Sequence, residues 1–130
     1  MIERVPPQNI EAEQAVLGAM LIKKEAISEV AQILNESDFY REAHRVVFQA
    51  MLELFNRNEA VDLITVTEQL RKDELLEKAG GIAFVTSLAN SVPTAANVEY
   101  HAKIVKEKAQ MRNLINSATA IAGMGYEDTE

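Results

Sequence analysis

A chain of 130 residues has the length of a single domain with a real core, and 48% hydrophobic with 25% charged residues is the composition of an ordinary soluble globule. There is no cysteine, which excludes disulfides and thiolate metal sites; no apolar run nears the roughly 18 residues that span a bilayer, and MIERVPPQ lacks a signal-peptide core, so the expectation is a cytoplasmic protein without a membrane partner. The net charge of −7 argues against nucleic acid as the main partner, because that affinity comes from Lys and Arg neutralising phosphates.

The stretch PPQNIEAEQAVLGAML predicts the first helix. Proline has no backbone donor and turns its predecessor away from helical geometry, so the helix starts after Pro7 with Asn9 as its cap. Glu11 and Glu13 then sit at the positive end of the helix dipole. Two positions apart, they point about 200° from each other, a poor geometry for carboxylates sharing one substrate. A helix start therefore explains both without invoking acid/base chemistry. A second helix fits residues 24–35, with Ile27, Val30, Ala31 and Leu34 on one stripe. His44, Val47, Phe48, Met51, Leu52 and Phe55 give the strongest stripe of the chain and predict a central buried helix over residues 42–56.

After the polar turn and short extended piece at 56–64, Thr65 and Glu68 have the spacing of a capping box, and a helix should run to about Lys72. LLEKAGG predicts a short helix stopped by Gly80-Gly81. The glycines have no lysine or GxGxxG context, so a helix stop is preferred to a phosphate loop. Another short helix carries Ile82, Phe84, Val85 and Leu88 and breaks at Pro93. From about residue 97 to Met124 the pattern is one helix ending at Gly123-Met-Gly125-Tyr126. At about 39 Å it matches the roughly 36 Å diameter of a domain this size, so it should project. The expected fold class is all-α: a compact bundle of about six helices over 1–96, a long projecting helix over 97–126, and a frayed acidic end over 127–130.

Catalysis needs a nucleophile, a tunable base or a metal cluster, and none is apparent in the sequence. His44 lies on the buried stripe, where a packing role is expected; His101 stands between Glu99 and Lys103; neither sits in HxxxH or HExxH. Walker A, GxSxG and aspartate-rich metal motifs are missing from the sequence, so no enzyme, cofactor or metal is expected in this chain. Interaction surface remains. Phe84, Ile115, Ile121 and Tyr126 are large apolar residues off the strongest stripe, each also a candidate for ordinary packing. Lys103, Lys106, Lys108 and Arg112 against Glu99 and Glu107 give the long helix a local excess of positive charge. That flank supports an alternative function, a single-stranded DNA-binding helical module, which the acidic net charge and the lack of an aromatic stacking row disfavour.

RVPPQNIEAEQAVLGAML, DFYREAHRVVFQAM, VDLITVTEQL, GGIAFVTSLANSVPTAANVEYHAKIVKEKA and LINSATAIAGMGY, in collinear order over almost the whole chain, resemble the N-terminal domain of the bacterial replicative DNA helicase of the DnaB type. The resemblance implies a helical bundle followed by a helical hairpin, pairing head to head into dimers that form a trimeric collar on a hexameric ring. It also implies docking of the C-terminal domain of DNA primase, with a helicase loader as a further candidate partner and DNA contact only weak or indirect. In that family the motor that uses ATP and Mg is a separate C-terminal domain, and this chain has the look of an excised piece without it and without the second hairpin arm. Matching the family's motifs puts primase-responsive positions at Phe84 in GGIAF, at Ile115 and Ile121 in LINSATAIA, and at Glu11 in NIEAE. Asn113 and Asn116 stand where the family carries more basic residues, which implies little electrostatic contribution to docking there. Ile104, Met111, Ile115, Ala118 and Ala122 form an apolar stripe along the long helix that is expected to mediate self-association.

Overall fold

Asn9 does open the first helix: its side-chain oxygen accepts from the Ala12 N–H at 2.9 Å. The computed structural model describes residues 4–92 and 94–127. Among them are six α-helices, α1 (Ile10–Ile22), α2 (Lys24–Ala31), α3 (Glu42–Asn56), α4 (Leu63–Lys72), α5 (Gly81–Ala89) and α6 (Val98–Glu127), with a short 3-10 helix at Glu36–Asp38 and no strand. The all-α expectation is met, and among the described residues no helix is long and apolar enough to cross a membrane.

The centre of the bundle is α1, whereas the stripe pattern pointed to α3. Val16, Leu17, Gly18, Ala19, Met20 and Leu21 are buried in succession, and α1 lies against α2, α3, α5 and α6. A helix that is apolar all round belongs in the middle, while a one-sided stripe marks a helix at the flank. Gly18 allows the close approach of α5. A Cβ there would collide with the Leu88 carbonyl oxygen of α5 and come within 3.0 Å of Ser91 Oγ and 3.1 Å of Val92 Cγ2.

The α3 boundaries are those the stripe predicts, and its buried face carries His44, Val47, Phe48, Ala50, Met51 and Leu54. Other elements differ from expectation, each for a local reason. Helix α2 stops at Ala31, which is exposed, because Asn35 accepts from the Ser37 N–H and starts the 3-10 helix instead. Helix α4 starts two residues before the expected cap: Asp62 accepts from Thr65 N–H at 2.8 Å and Thr65 Oγ1 accepts from Asp62 N–H at 2.9 Å. Starting there places Leu63, Val66 and Leu70 together against the core.

Residues 76–80 form turns, not a helix. Gly80 and Gly81 both have positive φ, 95° and 85°, and Gly81 N–H donates to Leu76 O at 2.9 Å. They close that turn and lead directly into α5. Helix α6 passes through Gly123 and Gly125, where a stop was expected, and reaches Glu127. Neither glycine adopts positive φ, and a glycine inside a helix costs only about 1 kcal/mol. Its first half is locked into the body by Val98, Ala102, Val105 and Ala109; from Gln110 to Glu127 no residue is buried. The expected break at Pro93 and the tail beyond Glu127 lie outside the described residues.

Candidate functional site

The four residues singled out as partner contacts fall in separate environments. Glu11 is exposed in the first turn of α1, where it shares a hollow with His101 and Ile104. Phe84 is half-buried on α5. Ile115 and Ile121, 49% and 67% exposed, lie on the outer half of α6. Six helical steps turn through about 240° beyond one full turn, so these two isoleucines look in different directions. Of the expected self-association stripe, Ile104 packs half-buried on the core, while Met111, Ile115, Ala118 and Ala122 are exposed.

Behind Phe84 lies a polar group that spacing within α1 did not reveal. Glu13 is buried and does more than complement a helix dipole: Oε1 accepts from His44 Nδ1 at 2.6 Å and Oε2 accepts from the Tyr40 N–H at 2.8 Å. A carboxylate only accepts, so the His44 proton is on Nδ1. His44 is the buried packing histidine expected, and its ring lies parallel to Phe84 at 5.7 Å and edge-on to Phe39 at 6.5 Å. Its Nε2 has no hydrogen-bond partner among the described residues. Phe84 is seated from the other side by Gly80, where a Cβ would fall 2.8 Å from the ring. Glycine at that position thus serves both the left-handed backbone and the ring above it. The sequence signal was present in principle, since Glu13 continues the buried face of Val16, Leu17 and Met20, but its partner is 31 residues away.

The second construction ties α6 to the N-terminal arm, residues 4–8. Arg112 donates through Nη1 to Pro7 O and through Nη2 to Asp38 O, both at 2.7 Å, and its guanidinium lies 5.5 Å from the centre of the Tyr40 ring. Lys106 reaches the buried Asp38 carboxylate at 3.2 Å, and that carboxylate also accepts from the Asn35 N–H at 2.9 Å. Arg45 adds bonds to the carbonyls of Phe39 and Tyr40 at 2.9 and 2.7 Å. Lys103 pairs with Glu99 on the surface. Two of the four cations on this flank, Lys106 and Arg112, thus help to hold α6 to the body. Among the described residues no group of three or more His, Asp or Glu is placed to hold a metal ion.

Comparison with known proteins agrees with this architecture. The family model of the DnaB-like helicase N terminal domain matches residues 5–107. Over 124 residues the chain is 55% identical to the replicative DNA helicase DnaC of Bacillus subtilis (strain 168), covering 95% of this chain and 27% of that protein. The crystal structure of the N-terminal domain of DnaB helicase from Mycobacterium tuberculosis is similar with a TM-score of 0.93 and 44% identity, over 97% of this chain and 88% of that one. A DnaB-like replicative helicase whose structure is described with its interactions with primase is similar with a TM-score of 0.78 and 32% identity, over 88% of this chain and 27% of that one. The chain spans about a quarter of the length of the curated relatives it matches.

Proposed function

Because the chain belongs to the family of DnaB-like helicase N-terminal domains, we propose that it is the non-catalytic assembly and primase-docking part of a hexameric replicative helicase, acting in DNA replication. The observation that carries this reading is the outer half of α6, where Met111, Leu114, Ile115, Ile121, Met124 and Tyr126 are all exposed. Large apolar residues gathered on one helix mark an interaction surface. With the exposed Ala118 and Ala122 they form two neighbouring stripes about 100° apart: Met111, Ile115, Ala118 and Ala122 with Tyr126 at its edge, and Leu114, Ile121 and Met124.

The first stripe, continued by Ile104, is assigned to copies of this chain. The second, with Phe84 on the body and Glu11 as a peripheral contact, is assigned to primase; Ile115, on the flank of the first stripe away from the second, is assigned to both partners. The similar helicase described with primase supports that partner. Light scattering of the chain alone, and with the C-terminal domain of a matching primase, tests the proposal. The expected result is a mass above monomer at high concentration and a further increase on adding primase. A chain that stays monomeric at millimolar concentration and gains no mass with primase would overturn it.

A further inference from the structure

Between the N-terminal arm and α6 lies a cleft of about 570 Å³ with Val5, Pro7, Tyr40 and Ile115 as its apolar lining and Arg4, Arg112 and Asn116 on its polar side. Val5 is 69% exposed and Tyr40 and Ile115 are also open to solvent. The cleft also carries positive charge, in a chain whose net charge is −7. Arg112 bonds only to backbone carbonyls and the Tyr40 ring; among the described residues no acidic side chain pairs with it. A guanidinium has five N–H donors. Two are committed to Pro7 and Asp38, which fixes the plane of the group and leaves the others for a ligand.

We propose that this cleft receives a segment of the docking partner that presents an apolar side chain beside a carboxylate, the first seated among Val5, Tyr40 and Ile115 and the second on Arg112. The proposal rests on the reading of the domain as a primase-docking module and names the contact chemistry at that site. It also reverses an expectation from sequence: Asn113 and Asn116 suggested little electrostatics beside Ile115, but Arg112 delivers a fixed charge to the same place. Guanidinium and carboxylate match as a fork, and a cation that has no acidic partner among the described residues, set beside an apolar hollow, selects an acidic partner over a basic one.

The test uses Val5, which is exposed and makes no core contact, so that its variants leave the Arg112 tether in place. Val5→Glu puts a carboxylate into the cleft as a competitor; Val5→Lys leaves the charge positive. Binding of a primase C-terminal domain is measured by calorimetry for each, with Asn116→Asp and Asn116→Lys repeating the pair on another wall. Each acidic variant should bind more weakly, by about tenfold or more, than the lysine variant at the same position, which loses the same parent side chain, and raised salt should narrow the gap. Equal affinities within twofold, with the parent still binding, would overturn the cleft assignment and leave the docking reading intact. No binding by the parent would overturn both. An oligothymidylate of about 20 nucleotides that shows the same ordering when primase does not would show that the cleft takes phosphate, which also overturns the proposal.

Discussion

Glu13 illustrates how much one buried acid can govern. Glu13→Ala leaves His44 Nδ1–H and the Tyr40 N–H without their acceptor inside the bundle, and the expected loss is about 2–5 kcal/mol by urea denaturation. The double change Glu13→Leu with His44→Leu should lose less than Glu13→Ala alone, because it removes the His44 donor along with its acceptor and leaves only the Tyr40 N–H without one; a larger loss in the double variant would show that pairing is not the source. Phe48 is fully buried and packs on Phe39 at 4.9 Å, so Phe48→Ala should cost about 3–5 kcal/mol. Phe84 is only half-buried, and Phe84→Ala should cost less stability while weakening primase binding. If the two variants shift the denaturation midpoint equally and Phe84→Ala docks normally, Phe84 is packing alone.

Among the elements, two glycines predict opposite outcomes for the same substitution. Gly18→Ala drives a methyl group into the α5 backbone at Leu88 and should destabilise by about 1–3 kcal/mol. Gly123→Ala meets nothing within 4 Å and should stabilise the outer part of α6 by about 1 kcal/mol, read as slower amide exchange there rather than as a higher global midpoint. Faster exchange in the alanine variant would contradict the helical state of Gly123. These elements also show where a sequence can be read. The boundaries of α3 were legible because one stripe dominates it. The start of α4 was not, since Asp62 with Thr65 and Thr65 with Glu68 are two plausible caps, and the packing of half-buried Leu63 against the core favours the first. The end of α6 was misread because glycine weakens a helix without forbidding it. In the proposed docking site, Phe84 and Ile115 could be found from sequence as apolar residues off the main stripe. The partners of Glu13 and Arg112 could not, because they are brought together only by the fold.

For the whole molecule, the exposed stripe on α6 sets the expected association behaviour. Covering apolar surface is worth about 25 cal/mol per Å², and a charge placed in such a contact without a partner opposes it. Ile115→Glu and Ala118→Glu should therefore shift the chain toward monomer in sedimentation equilibrium at fixed concentration, with little effect on the melting of the body. Ile104→Glu should do so only with a loss of stability, since Ile104 also packs on the core. Unchanged mass in the Ile115 and Ala118 variants would place the contact elsewhere.

The anchoring of α6 at Arg112 gives the helix the mechanics of a cantilever. Fifteen residues, about 22 Å of helix, extend from that clamp to Glu127 without a buried side chain. A tilt of about 5° at the clamp moves the tip by roughly 2 Å, as much as separates a packed contact from a broken one. The carbonyls of Pro7 and Asp38 that hold Arg112 thus aim a surface far from themselves, and a variant such as Arg112→Ala would blur the direction of the beam while leaving every residue on it intact.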